Sequence, residues 1–285
     1  MIKILKETFS ILNKNWWLLF IFMTICYIGL VYFSILQSSA KTLLQLSVGA
    51  VTLLFITIAG VAGLFYCLRN TVDAETSGKD FERMDLLKMF PKGVSDYFLP
   101  AAGVIIIYLI IVFLMFKGAM LIGKNLIGTF SFTPEELKNA MSSVEALNNF
   151  QKNISVDDLI KLSKWHLLYL AFSSVLTYLL IYWLPETFYN TKNAFFSLCY
   201  SIKKVLLNTL STLQLFFTIV AINIITSLIM ALMMPVPFLA FLVYFVYFYG
   251  FLYILLLTFN FYRHKFVALP PAETEKDDEG EPEEE

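Results

Sequence analysis

The chain has 285 residues, of which 58% are hydrophobic, 16% aromatic and only 15% charged, with a mean hydropathy of +0.71. A soluble domain carries about 45–50% apolar and about 25% charged residues, so this composition excludes an ordinary water-soluble globule. The formal net charge of −1 hides an asymmetry: residues 273–285 hold nine acids and one Lys, which leaves the remainder of the chain basic.

The first apolar run follows Lys3, Lys6 and Lys14. It exceeds the ~7–15 residues of a signal-peptide core and lacks a small-residue cleavage site, so it is expected to be retained as a helix. Blocks free of Asp, Glu, Lys and Arg then recur along the chain, at 15–40, 42–68, 97–116, 165–185 and 205–262. A bilayer core about 30 Å thick takes roughly 20 apolar residues as helix. The last block is long enough for two spans, and Met-Pro-Val-Pro (234–237) divides it, because proline removes a backbone donor. The predicted fold is therefore all-α, an integral membrane bundle of six transmembrane helices within residues 1–267. The spans lie near 16–36, 43–67, 98–122, 165–184, 209–233 and 238–261. Residues 268–285 are a disordered acidic tail by composition.

Amphipathic segments precede three of these spans. Before the first, Ile2, Leu5, Phe9, Leu12 and Trp16 line one face, with Lys3, Lys6, Glu7, Ser10, Asn13 and Lys14 opposite. Before the third, Leu87, Phe90, Val94 and Phe98 oppose Lys88, Lys92 and Asp96, with Pro91 between them. Before the fifth, Phe195, Leu198, Cys199, Ile202, Val205 and Leu206 follow helical spacing, with Asn193, Ser197, Ser201 and Lys204 opposite. Lys6-x-x-Phe9-x-x-Leu12 and Lys192-x-x-Phe195-x-x-Leu198 share a register. This order reads as three parallel repeats, each an interfacial helix followed by a helical hairpin. The connection over 123–164 is longer than usual and carries helix-start signals. Thr133-Pro-Glu-Glu136 is a capping box with Phe132 and Leu137 as its staple, and Ser155-Val-Asp-Asp158 starts a helix that runs on into the fourth span.

Fourteen of the 21 Lys and Arg residues fall on the side that holds both termini, which predicts a cytoplasmic-membrane protein with N- and C-termini in the cytoplasm. Trp16 and Trp17 open the first span, and Trp165 and Trp183 bracket the fourth, about 27 Å apart at helical rise. All four are expected at headgroup level.

Catalytic chemistry is sparse. The span centres hold no Asp, Glu, Lys, Arg or His, and neither histidine, His166 or His264, has a partner at metal-ligand spacing. Cys26, Cys67 and Cys199 form no CxxC pair. No cofactor, metal or catalytic residue is expected, and the chain reads as no enzyme. Two candidate sites remain. A basic amphipathic helix leaves its lysines toward anionic headgroups, which marks Lys6, Lys14, Lys192, Lys203 and Lys204 as lipid contacts. Glu186, after Pro185, is read as a cap for the next helix, as a partner of Lys203 or Lys204, or as a further headgroup contact. Inside the bilayer, Asn223 is the deepest strong hydrogen-bonding group, and with Thr226, Tyr244 and Tyr247 it forms a candidate intramembrane polar site that serves helix packing or a polar substrate.

The order Pro185, Glu186, Ala194, Ser197, Lys203, Lys204, together with the opening KETFSILNKNWWLLF (Lys6–Phe20), resembles six-helix bacterial and archaeal membrane proteins. These are similar to the membrane domain ahead of some glycerophosphodiester phosphodiesterases. The resemblance spans most of residues 1–267 and implies a membrane module linked to lipids or envelope integrity. The expected function is a multi-pass membrane protein that handles lipid or supports the envelope, or alternatively a permease for a small uncharged or amphipathic solute. The expected partners are membrane lipids at the cytoplasmic face and a protein partner for the acidic tail, with no nucleic acid.

Overall fold

A computed structural model of the chain describes residues 1–77, 83–140, 142–235 and 240–267. The acidic tail, Lys79 and part of the Met-Pro-Val-Pro break (Val236 and Pro237) lie outside these residues, as does the Phe238 start of the sixth span. The side chain of Leu137, one half of the expected staple, is likewise not described. Eleven α-helices and no strand are found among the described residues: α1 (Ile2–Lys14), α2 (Trp17–Ser39), α3 (Leu43–Thr76), α4 (Arg83–Leu126), α5 (Pro134–Ala140), α6 (Val144–Asn153), α7 (Val156–Leu180), α8 (Trp183–Tyr189), α9 (Ala194–Leu207), α10 (Thr209–Met233) and α11 (Ala240–Phe266). Among the described residues six helical stretches are long and apolar enough to cross a membrane: Trp17–Ser39, Leu43–Thr76, Asp85–Leu126, Val156–Tyr189, Thr209–Met233 and Leu242–Phe266.

The helix starts follow local chemistry. Thr42 caps α3 in a capping box with Gln45. Thr133 N–H donates to Glu136 Oε2 at 2.7 Å and Glu136 N–H to Thr133 Oγ1 at 3.2 Å, which closes the expected box at α5. Ser155 caps α7, and that helix runs unbroken from the connection into the fourth span. Asn193 accepts from the N–H groups of Phe195 and Phe196 and opens α9.

The chain forms two compact units. Unit 1 comprises residues 1–95 and 217–285. In it α2 and α3 pair as a hairpin, α11 packs on both, and α1 packs on α11 and α3. α3 approaches its neighbours through glycine: a Cβ at Gly60 would stand 2.5 Å from Ile25 Cγ2, and one at Gly63 would stand 2.4 Å from the Phe90 ring. The core gathers at one end of these helices, where Ile58, Leu64, Phe65, Leu68 and Val72 of α3 meet Leu252, Leu256, Phe259 and Tyr262 of α11 and Ile11 and Leu12 of α1. Toward the other end the side chains turn outward, and Leu43 is 80% exposed. Unit 2, residues 96–216, packs α7 and α8 against α9 around Val104, Trp183 and Ala194.

The amphipathic segments differ from the expected threefold pattern. α1 breaks from α2 at Asn15 and α9 breaks from α10 at Asn208, and each asparagine amide donates back to a helix carbonyl, Ile11 O at 3.0 Å and Lys204 O at 3.1 Å. No asparagine stands at the third segment. There α4 continues through Pro91 and Pro100 as one 44-residue helix, so this repeat has no separate interfacial helix.

Candidate functional site

Both amphipathic helices bury a mixed stripe of polar and apolar residues and leave other large apolar residues outward. On α1, Thr8, Ile11 and Leu12 are buried, while Ile2 is 72% and Phe9 53% exposed. On α9, Ala194, Ser197, Ser201 and Val205 are buried, and Phe195, Phe196, Tyr200, Leu206 and Leu207 are exposed. Thr8, Ile11 and Asn15 thus share a helical phase with Ala194, Ser197 and Ser201, and Phe9 shares one with Phe195. An apolar face that would be a fault in water suits a helix lying at a bilayer boundary.

In unit 2 a polar cluster is enclosed between α8 and α9. Trp183 Nε1 donates to Ala194 O at 2.9 Å and to Ser197 Oγ at 3.0 Å. Thr187 Oγ1 bonds Trp183 O at 2.9 Å and Ser197 Oγ at 2.8 Å. Trp183 and Glu186 are each only 2% exposed. Trp183 therefore anchors the contact between α8 and α9, because its indole N–H finds acceptors one helix away. Glu186 accepts from Lys204 Nζ at 2.5 Å and from Asn190 Nδ2 at 3.2 Å. A buried carboxylate needs such partners, since its desolvation is otherwise uncompensated. Of the readings left open for Glu186, the structure selects the ion pair with Lys204. Lys192 donates to Asp96 O at 3.5 Å and lies over the Tyr97 ring, 4.8 Å from its centroid. Lys203 stays exposed.

In unit 1 the polar side of α1 meets α3 and α11. Asn260 Nδ2 donates to Thr8 Oγ1 at 3.1 Å, Tyr253 OH to Leu5 O at 3.0 Å, and Tyr249 OH to Asn13 Oδ1 at 3.1 Å. Glu7 faces His264 at 2.9 Å, Lys14 bonds Glu75, and Arg263 reaches Asp73 at 2.5 Å. Lys6 remains exposed.

The intramembrane residues do not converge. Thr226 lines a cavity of about 220 Å³ with Phe9, Ile222, Ile229, Val246, Tyr249, Gly250 and Tyr253. Tyr244 and Tyr247 lie on another face of α11 and are exposed, as Asn223 is on α10. Helical phase accounts for the difference: Val246, Tyr249 and Tyr253 follow i, i+3, i+7 and share one face, which Tyr244 and Tyr247 miss. Tyr249 and Tyr253 face this cavity, with Gly250 between them at the close approach of Thr226 on α10.

The connection over 123–164 holds one further cluster, in which the helix-start residues Ser155 and Asp158 meet Ser131. Asp158 accepts from Ser131 N–H at 3.1 Å, from the Ser131 hydroxyl, and from Ser155 Oγ at 2.8 Å, so this carboxylate ties residue 131 to the start of α7. Among the described residues no group of His, Cys, Asp and Glu side chains could hold a metal ion.

Fold and site together define a multi-pass, all-helical membrane protein whose amphipathic helices are fastened to the spans by buried polar contacts. Residues 41–230 match the model of a bacterial export family described as the FlhB HrpN YscU SpaS family, and the chain belongs to that family. No curated protein and no solved structure matches the chain. The family match corrects two expectations. The resemblance to the membrane domain of glycerophosphodiester phosphodiesterases, read from Pro185, Glu186, Ala194, Ser197, Lys203 and Lys204, is overturned by this match to a different family. Membrane lipids as the chief partners are overturned as well. Lys14, Lys192 and Lys204 are engaged within the chain by Glu75, by Asp96 with Tyr97, and by Glu186.

Proposed function

We propose that this chain is a non-catalytic membrane component of a protein-export apparatus, acting through protein partners. The observation that carries this reading is the match of residues 41–230 to the export family. The site geometry supports a scaffolding role: the buried side chains of Glu186, Asp158, Arg263 and Asn260 are bound to other parts of the chain. The proposal places the protein in the cytoplasmic membrane with both termini in the cytoplasm, on the strength of the Lys and Arg asymmetry.

Depletion of the protein in its native cells tests the proposal, with the secreted proteins quantified and the chain's cross-linked neighbours identified in membranes. The expected result is loss of a subset of secreted proteins, together with cross-links to other multi-pass components of an export complex. An unchanged set of secreted proteins would overturn it.

A further inference from the structure

The turn after α4 is held against α7 at two points. Gly128, at φ 88°, caps α4 in the left-handed region, and the N–H groups of Ile127 and Gly128 both donate to Gly123 O. Gly128 O accepts from Trp165 Nε1 at 3.4 Å, and a little further on Ser131 is tied to Asp158. Asp158 and Trp165 stand about two turns apart on α7, so the segment between Gly128 and Ser131 is fixed at both ends. Gly123 completes the fit: a Cβ there would stand 2.3 Å from the Trp165 ring, so the indole lies directly on α4.

Between α4, this turn and α7 lies an open cleft of about 1100 Å³, lined by residues of unit 2. Its volume is comparable with the larger small-molecule pockets, on the order of 1000 Å³. One wall is aromatic. Phe130 and Trp165 have ring centroids 6.5 Å apart, and Trp165 stacks on Tyr169 at 5.7 Å. Such a wall favours a planar ring over an alkyl chain, because ring–ring contact adds to the burial of apolar area. The polar part of the lining has one sign. Lys124 and His166 line the cleft, and no Asp or Glu does. Lys161 pairs with Asp157, whereas Lys124 and His166 have no ion pair among the described residues. Both are exposed, so neither side chain is committed to holding the fold, and no carboxylate competes with an anion that enters.

We infer that this cleft is a binding site for a planar aromatic carboxylate. Its ring lies against Phe130, Trp165 and Tyr169, its carboxylate meets the Lys124 ammonium, and His166 is a second hydrogen-bond donor. A neutral ring would gain no ionic contact, and an alkyl chain would forgo the stacking. This inference does not rest on the export reading, and either can fail without the other.

The test uses the full chain in liposomes of neutral lipid, dialysed to equilibrium against the naphthoate anion, with binding to protein-free liposomes subtracted. Saturable binding at one site per chain is expected. Naphthamide, the uncharged analogue, is expected to bind about tenfold more weakly, which corresponds to the loss of one charge-assisted contact. Lys124→Met is expected to weaken naphthoate by about the same factor and to leave naphthamide unchanged, while Lys124→Arg stays near wild type. A general loss of folding would weaken both ligands, so the difference between them isolates the ammonium. Absence of saturable binding, equal binding of the two ligands, or a Lys124→Met curve that superimposes on the wild type would each overturn the inference. So would tighter binding of palmitate than of naphthoate, which would make the cleft an acyl-chain groove.

Discussion

α1 in unit 1 and α9 in unit 2 are built on one pattern but fastened by different means. α9 is held by its neighbour in sequence, α8, through a buried indole, a hydroxyl pair and a buried ion pair. α1 is held by residues far along the chain, at 75 and 249–264, and its ionic contacts are partly open to solvent. Half-exposed ion pairs contribute little, about 0–1 kcal/mol each, because water and salt screen them. The attachment of α1 therefore rests on burial of Ile11 and Leu12 and on the Thr8–Asn260 bond. The attachment of α9 rests on polar groups that no longer see water. The lesson is that the number of contacts does not rank the two junctions, whereas their burial does.

Substitutions in each unit can break this contrast. The largest effect is expected for Trp183→Ala, which removes a buried ring and both of its hydrogen bonds and should cost about 3–5 kcal/mol. Denaturant unfolding of the purified protein in detergent checks it, and a change below about 1 kcal/mol would remove Trp183 as the anchor of α9. Lys204→Met comes next at about 3 kcal/mol, because it strands the buried Glu186 carboxylate. The double variant Glu186→Gln/Lys204→Met should recover most of that loss in the same assay, whereas additive losses would show that the pair is not coupled. The smallest effect is expected for Glu7→Gln on α1, below about 1 kcal/mol and fading as salt is raised. A loss as large as that of Lys204→Met would mean that the two helices are fastened alike.

Much of the fold was legible in the sequence because each signal was local. The charge-free blocks placed six spans, Thr133 and Ser155 marked helix starts with their own side chains, and the shared register of Lys6–Leu12 and Lys192–Leu198 matched two helices that dock in one phase. The sites were less legible. The lysines of α1 and α9 read as headgroup contacts because the pattern alone cannot show that Glu75, Glu186 and Asp96 wait beside Lys14, Lys204 and Lys192. Tyr244 and Tyr247 cannot be told from Tyr249 and Tyr253 in the sequence, because an aromatic-rich span shows little preference for a face.

Hydrophobic length and backbone hydrogen bonding thus determined from the sequence alone that this is a six-span helical membrane protein, since a bilayer leaves an apolar chain few other solutions. Tertiary structure decided which face of each amphipathic helix is inside. That choice depends on partners such as Asn260 and Trp183, which reach α1 and α9 only when the chain has folded.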